Sequence, residues 1–202
     1  SSSSLGQTTD VRRGHEIDRE GLTAYLRQHL ADLNGPLEFR QLEGGQSNPT
    51  YLLHTPDRDY VLRKKPPGQL LPSAHQGDRE YRVMTALLDH GIPVPRTHLL
   101  CTDASILGTP FFVMECVDGR VFRQPHLPGV SPEHRAAIYD DMVAVLARLH
   151  GVNVAAAALD DYGKPGNYYA RQIARWSRQY VAAKTDDIPA MDRLMEWLPR
   201  HI

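Results

Sequence analysis

Two kinds of hydrophobic spacing divide this chain into a β-rich part and a helical part. Near the N-terminus, apolar residues recur every three or four positions, which predicts an amphipathic helix over Asp18 to Leu30. Asn34-Gly35-Pro36 stops this pattern. Short β-prone runs bounded by turn residues then predict five strands: Leu37 to Leu42, Thr50 to His54, Tyr60 to Arg63, Arg96 to Cys101, and Phe111 to Val117.

A second helix is predicted between the third and fourth strands. Two prolines after Lys65 break the sheet, and Ser73 is a suitable cap for a helix that runs to about His90. The strand that starts at Phe111 is apolar at four successive positions, which indicates that both of its faces are covered. We therefore expect it to be a central strand of the sheet.

From Ser131 onward the spacing is helical. Ser131 is a suitable N-cap, and Pro132 suits the first helical position that follows it. Two further helices are predicted, one around Tyr169 to Tyr180 and one over Ile188 to Leu198. Their large aromatic residues fall at helical spacing, which favours a place in the core over a stacking surface: Trp176, Tyr180 and Trp197.

This order of elements predicts an α+β protein with two lobes. An N-terminal tail and helix would occupy 1–36, a five-stranded antiparallel sheet lobe with one helix 37–117, and a partial helical C-terminal lobe 118–202. A connector near Asp118-Gly119 would join the two lobes. Clefts between lobes are common places for small ligands, so a small-molecule site is expected there.

The net charge and the number of cysteines exclude several classes of protein and of binding partner. With 23 Lys and Arg against 24 Asp and Glu, the formal net charge is −1, which disfavours non-specific binding to nucleic acid or anionic membranes. Two cysteines exclude a disulfide-dense secreted scaffold and favour a reducing, cytoplasmic location. No apolar run reaches the length of a membrane span, and we expect no signal peptide. The ten histidines show no HxH, HxxxH or HExxH spacing, so no metal site is predicted.

Three segments of the predicted sheet lobe carry residues suited to nucleotide chemistry. The first is the run between the first two strands, Gly44-Gly45-Gln46-Ser47-Asn48. Consecutive glycines let a backbone approach a ligand closely, and exposed amides can point at phosphate oxygens. A glycine-rich hairpin loop without a ligand has the same pattern, and neither GxGxxG nor the P-loop motif is matched.

The second segment is the basic end of the third strand. This end reads Arg63-Lys64-Lys65, and a cation there could hold nucleotide phosphates, although a solvated basic strand end has the same composition. Glu80 lies on the border of the apolar stripe of the next helix, where a carboxylate needs a partner. A basic residue on the neighbouring strand would supply that partner.

The third segment is the end of the last strand, where Met114, Glu115 and Val117 enter the predicted connector. Backbone groups released there from sheet pairing could bind the edge of an adenine ring. Periodicity alone shows only a strand that ends.

Taken in order, these segments resemble the nucleotide-binding lobe of the protein-kinase-like superfamily, and most closely the aminoglycoside phosphotransferase and choline kinase branch. The nearest resemblance is to phosphotransferase domains found alone in bacteria or joined to acyl-CoA dehydrogenase modules. It runs from about Phe39 to the end of the chain and is carried by four segments: Gly44 to Tyr51, Tyr60 to Gly68, Arg79 to Met84, and Gly108 to Glu115.

The resemblance implies ATP and Mg²⁺ as cofactors and assigns roles by position. The loop Gly44 to Asn48 would cover the ATP phosphates, and Arg63 stands where kinases place the phosphate-binding lysine, with Lys64 as the alternative. Glu80 stands at the position of the helix glutamate that orients that residue. Met114 would flank the adenine pocket. The adenine edge would meet the carbonyl of Glu115 and the amide of Val117.

The family's catalytic residues have no counterpart in this sequence. The resemblance implies a His-Gly-Asp loop followed by an Asn and a later Asp strand, and the 202 residues contain no His-Gly-Asp. By resemblance the loop would come shortly after Ile202, so no catalytic residue and no metal ligand is predicted in this chain. We expect the function of an ATP-dependent kinase that phosphorylates a hydroxyl group of a small molecule. We also expect the 202-residue chain to be inactive by itself. The alternative is a non-catalytic nucleotide-binding or interaction module, a pseudokinase.

Overall fold

A computed structural model describes residues 8–9, 17–42, 49–65, 76–163 and 165–202. Within these residues six strands form one antiparallel sheet with the spatial order β1-β2-β3-β4-β6-β5. The strands are β1 Thr8–Thr9, β2 Glu38–Leu42, β3 Thr50–His54, β4 Asp59–Lys64, β5 Thr97–Cys101 and β6 Phe111–Glu115. The five predicted strands are confirmed with ends that shift by one or two residues. The sequence pattern did not indicate the two-residue β1, which pairs with β2.

The helices also follow the predicted order. They are α1 Arg19–His29, α2 Gln76–Leu88, α3 Ala104–Leu107, α4 Pro132–His150, α5 Tyr168–Ala183 and α6 Pro189–Trp197, after which Leu198–Arg200 forms a 3₁₀ turn. The Ser131 hydroxyl accepts a hydrogen bond from the His134 amide and caps α4 as expected. The predicted cap Ser73 lies outside the described residues. The sequence did not indicate α3, a single turn capped by Asp103.

The chain forms two compact units, Ser1–Leu159 and Asp160–Ile202. The predicted connector at Asp118-Gly119 lies inside the first unit, and a division into two lobes at that point stays a prediction. None of the helices in the described part of the chain combines the length and the hydropathy that a membrane crossing requires.

One face of the sheet packs against α1. Leu22 and Leu26 of this helix are fully buried, because apolar residues four positions apart point to the same side of a helix. They contact a core that includes the inward side chains of three neighbouring strands: Tyr51, Leu53, Tyr60, Leu62, Phe111 and Val113. The Asp18 carboxylate accepts a hydrogen bond from the Gly21 amide and fixes the start of α1.

The opposite face of the sheet meets α2. The ring of Tyr81 on α2 lies edge-on to Phe112 on β6, with ring centroids 6.1 Å apart. Strand β6 therefore has side chains packed on both faces and pairs with β4 and β5 on its two sides. Its predicted central position is confirmed.

The core prediction is wrong for Trp176 and Trp197, whereas the third late aromatic residue, Tyr180, is half-buried. Trp176 is 61% exposed and Trp197 is 53% exposed. Neither α4 nor α5 has a buried residue. Helical spacing identifies an apolar stripe correctly but does not reveal whether other residues cover it.

Candidate functional site

The face of the sheet opposite α1 carries an apolar row next to the end of β6. Leu52, Val61 and Met114 are register partners across β3, β4 and β6. Because partners in an antiparallel sheet project to the same face, their side chains form one continuous strip. Leu52 and Val61 are buried and Met114 is half-buried. An apolar strip of this kind suits the flat face of an aromatic ring.

The same registers place a second row, which contains Arg63, two residues further along the strands on the same face. Arg63 pairs with Thr50 on β3 and with Phe112 on β6, two residues along from the apolar row. The Arg63 guanidinium donates a hydrogen bond of 2.6 Å to the Glu80 carboxylate on α2. Both side chains are about one-third exposed, so the pair is partly shielded from water. The structure thus brings together the strand cation and the helix carboxylate singled out in the sequence.

One nitrogen of the Arg63 guanidinium, Nε, is a buried donor without a hydrogen-bond partner among the described residues. A buried donor without an acceptor costs free energy, so an anion that approaches this nitrogen would be stabilised. This observation fits a phosphate oxygen as the missing acceptor.

Lys64 lies on the other face of β4. Side chains alternate along a strand, so Lys64 projects towards α1 while Arg63 projects towards α2. The Lys64 side chain is buried and forms no ion pair with another described residue. Burial lowers the pKa of its ammonium group below the usual value. Of the two predicted cations, Arg63 is therefore the one on the face of the apolar row.

The sequence placed Lys65 in the basic strand end, but only Arg63 and Lys64 were selected there as site residues. Alternation places Lys65 on the same face as Arg63, and its ammonium lies 3.9 Å from the Asp78 carboxylate. Its side chain is 12% exposed. The sequence does contain a matching pattern: two basic residues, Arg63 and Lys65, are spaced two positions apart, and so are two later acidic residues, Asp78 and Glu80. This signal was insufficient, because residues two apart on a helix do not share a face.

The end of β6 is held to the start of β5. The Glu115 amide donates to the Arg96 carbonyl at 2.7 Å, and the Arg96 amide donates to the Glu115 carboxylate at 3.1 Å. Beyond this clamp the strand ends, and the exposed Val117 has an amide that makes no backbone hydrogen bond to another described residue. The Val117 amide therefore keeps its donor available for a ligand.

Five predicted site residues lie outside the described part of the chain: Gly44, Gly45, Gln46, Ser47 and Asn48. The description resumes at Pro49, whose carbonyl accepts a hydrogen bond from the Lys64 amide at 3.1 Å. Pro49 precedes Thr50, the register partner of Arg63. The described chain therefore resumes, at Pro49, at the end of the sheet where Arg63 lies.

Carboxylate and imidazole groups do not gather into a metal centre among the described residues, where no cluster of three or more His, Cys, Asp or Glu side chains fits an ion. The described residues thus offer the cations Arg63 and Lys65 to an anionic ligand. They offer no preformed cage for a cation of their own.

Comparison with family models accounts for most of the sequence. The model of the phosphotransferase enzyme family matches residues 38–202, which include the sheet from β2 onward and α2 to α6. This chain belongs to the phosphotransferase enzyme family. The resemblance carried by the four sequence segments is therefore confirmed, and the phosphotransferase chain has the kinase-like fold that the segments predicted.

Relatives of this phosphotransferase chain include much longer proteins. Acyl-CoA dehydrogenase family member 10 of Mus musculus is 49% identical over 196 residues, and acyl-CoA dehydrogenase family member 11 of Homo sapiens is 48% identical over 197 residues. Both alignments cover 96% of this chain but only 18% and 25% of the two relatives. The chain thus spans about a fifth to a quarter of their length.

A solved structure gives the same assignment. A protein from Ralstonia eutropha, provisionally classed as an aminoglycoside phosphotransferase, superposes with a TM-score of 0.78 at 49% sequence identity. The match covers 93% of this phosphotransferase chain and 54% of the solved chain. Identity at this level and a TM-score of this size place the sheet and helices described above in a kinase-like fold.

Proposed function

We propose that this chain supplies the nucleotide-binding part of an ATP- and Mg²⁺-dependent phosphotransferase that phosphorylates a hydroxyl group of a small molecule. The observation that carries this proposal is the Arg63–Glu80 ion pair directly beside the apolar row Leu52, Val61 and Met114. A nucleotide has an aromatic base at one end, which would pack on this apolar row, and phosphate groups at the other end, which would bind Arg63. Membership of the phosphotransferase family supports the same reading.

Each residue has a specific role in this proposal. The apolar row packs against the adenine ring, and the Glu115 carbonyl and Val117 amide bind its edge. Arg63 binds phosphate oxygens through donors that include its unpaired Nε, and Glu80 holds the guanidinium in place. Predicted residues Gly44 to Asn48 complete the phosphate contacts. Mg²⁺, when bound, neutralises the phosphate charge and aligns the transferred group.

For the acceptor, we propose a hydroxyacyl thioester. Two of the longer relatives carry names that refer to acyl-CoA dehydrogenases, and their matching segments are nearly half identical to this chain. Aminoglycosides and choline are the alternatives that the family resemblance offers. The proposed setting is the cytoplasm, with nucleotide and acceptor as partners and without nucleic acid or membrane.

We further propose that the 202-residue chain transfers phosphate negligibly by itself. Phosphoryl transfer needs a carboxylate that orients the attacking hydroxyl, and the family's His-Gly-Asp loop is not among these residues. Nucleotide binding without chemistry, as in a pseudokinase, is the second candidate function. A longer protein that contains this segment would separate the two, because only an enzyme would phosphorylate an acyl thioester bearing a hydroxyl.

Thermal unfolding with and without Mg-ATP tests the binding proposal. A ligand that binds only the native state at a hundred times its Kd stabilises that state by about 2.7 kcal/mol. We expect Mg-ATP to raise the melting temperature of the 202-residue chain and Arg63→Met to remove the shift. No shift at millimolar Mg-ATP would contradict the proposal. ATP turnover by the chain alone that is lost in Glu80→Gln would contradict its inactivity.

A further inference from the structure

We infer that Lys65 is a second phosphate-binding residue of this site and that Asp78 competes with the nucleotide for it. The inference rests on the proposed nucleotide site and adds to it a residue that sequence reasoning did not select. The geometry at the end of β4 carries it.

The position of Lys65 is fixed by its backbone. Its amide donates to the Pro110 carbonyl at 3.4 Å, and its carbonyl accepts a hydrogen bond from the Thr109 hydroxyl at 3.3 Å. These bonds continue the strand one residue past the end of β4 and hold Lys65 on the face of Arg63. Its side chain is largely covered by neighbouring groups, so the ammonium is confined to this end of the sheet.

The two cations on this face differ in how firmly they are paired. Arg63 meets Glu80 at 2.6 Å, whereas the Lys65 ammonium is 3.9 Å from the Asp78 carboxylate, at the outer limit of an ion pair. Asp78 is also the more exposed acid, with 47% of its side chain accessible against 30% for Glu80. An ammonium has three donors, and one long contact leaves most of them for another acceptor.

The negative charge of the phosphates favours a second cation in this site, and Lys65 is positioned to supply it. A nucleotide triphosphate carries several negative charges, while Glu80 already neutralises much of the charge on Arg63. A second cation on the same face would bind oxygens that Arg63 does not reach. Asp78 would then compete with phosphate for the Lys65 ammonium, so removal of the Asp78 charge should strengthen nucleotide binding.

Equilibrium dialysis of the 202-residue chain with Mg-ATP and with adenosine tests this inference. We expect Lys65→Met to weaken Mg-ATP binding by about tenfold or more, as for a lost charged hydrogen bond. Asp78→Asn should tighten Mg-ATP binding about threefold, the worth of a weak surface pair. Adenosine lacks phosphates, so its affinity should stay the same in both variants.

Arg58→Met is the matched control. Arg58 is an exposed cation before β4 that pairs with Asp32 at 3.7 Å, at the other end of the strand from Lys65. The control removes one cation and one long ion pair and should leave both affinities unchanged.

Two results would overturn the inference while the proposed function stands. One is weaker or unchanged Mg-ATP binding in Asp78→Asn, and the other is an equal loss of Mg-ATP and adenosine affinity in Lys65→Met. Both would make the Lys65–Asp78 contact purely structural. Failure of the proposed function itself would look different, because the unmodified chain would then not bind Mg-ATP.

Discussion

The Arg63 guanidinium and the Glu80 carboxylate join β4 to α2 through a hydrogen bond of 2.6 Å across a separation of seventeen residues. Tyr81, the next residue on α2, packs against Phe112 in the row of Arg63. The ion pair and the ring contact together hold the helix at one place on the sheet. Movement of α2 would therefore move Glu80 away from Arg63.

A double-mutant cycle measures what this pair contributes to stability. We expect Arg63→Gln and Glu80→Gln to be coupled by about 1 kcal/mol, because the partly shielded pair gains more than a fully exposed one. Urea unfolding of the parent chain, both single variants and the double variant gives the coupling energy. Additive effects of the two substitutions would mean that the ion pair between Arg63 and Glu80 makes no measurable contribution to the free energy of unfolding.

Residue pattern alone predicted much of this arrangement. Apolar runs and turn residues were sufficient to place the five long strands. In each strand, apolar and polar side chains alternate between the two faces of the sheet, or apolar side chains cover both faces. Glu80 was identified from its position on the border of an apolar stripe, a place that requires a partner. The sequence could not decide between Arg63 and Lys64, because that choice depends on which face of β4 meets α2.

Other features depend on contacts that no local pattern encodes. Lys65 belongs to the site because Pro110 and Thr109, more than forty residues later, hold it in line with β4. Strand β1 has two residues, too few for a period to be recognised. The exposure of Trp176 depends on what surrounds α5, which helical spacing does not reveal.

Buried Lys64 should lower stability at neutral pH. Burial of the side chain partly desolvates its ammonium, which has no ion-pair partner among the described residues, so its pKa is lowered below 10.5. The unfolded chain then holds the proton more tightly than the folded chain. This cost is fully present below the folded-state pKa and is relieved as pH rises from there towards 10.5. Lys64→Met should raise the free energy of unfolding at pH 7 by about 1 kcal/mol.

The pH dependence separates this cause from a change in packing. Denaturant unfolding of both forms between pH 7 and about 10.5 should show the advantage of Lys64→Met shrinking as pH rises. Arg58→Met, at an exposed position, provides the control for loss of a positive charge. An advantage that is constant across this range would contradict the role given to the Lys64 charge.

The Arg82 guanidinium ties α2 to the segment that follows α4. It donates to the Ala158 carbonyl at 2.6 Å, and Ala157 and Leu159 on either side are buried. Ala158 has φ of 53°, in the left-handed region that favours glycine. We expect Arg82→Ala to lower the free energy of unfolding by about 1 to 2 kcal/mol. Urea unfolding monitored by circular dichroism is the measurement.

Two substitutions at Ala158 test whether the backbone conformation matters. Ala158→Gly should not lower stability, because relief of the left-handed strain offsets the added chain entropy, whereas the β-branched Ala158→Val should lower it by more than about 1 kcal/mol. Arg123→Ala removes the same group from an exposed loop and should change stability by less than about 0.5 kcal/mol. A stable Ala158→Val variant would show that this turn adopts another conformation.

Cys116, between the proposed adenine-binding groups of Glu115 and Val117, should react slowly with alkylating agents. Partial burial is the main cause that raises the pKa of its thiol from 9.0 to about 11, and the carboxylates of Asp59, Asp118 and Glu115 add to it. At pH 8 the reactive thiolate is then about a hundredfold scarcer than in an unperturbed cysteine with a pKa of 9.0.

Iodoacetamide labelling followed by peptide mass spectrometry checks this expectation. The rate at Cys116 should keep rising up to about pH 11, and Asp59→Asn should raise the rate at pH 8 because it removes one of the negative charges that oppose ionisation. The exposed Asp57→Asn is a control, since Asp57 is not among the groups that shift this pKa. Labelling at pH 8 as fast as that of free cysteine would mean that the thiol is neither buried nor near these carboxylates. The described path of the chain beyond β6 would then be wrong, and with it the place proposed for the adenine edge.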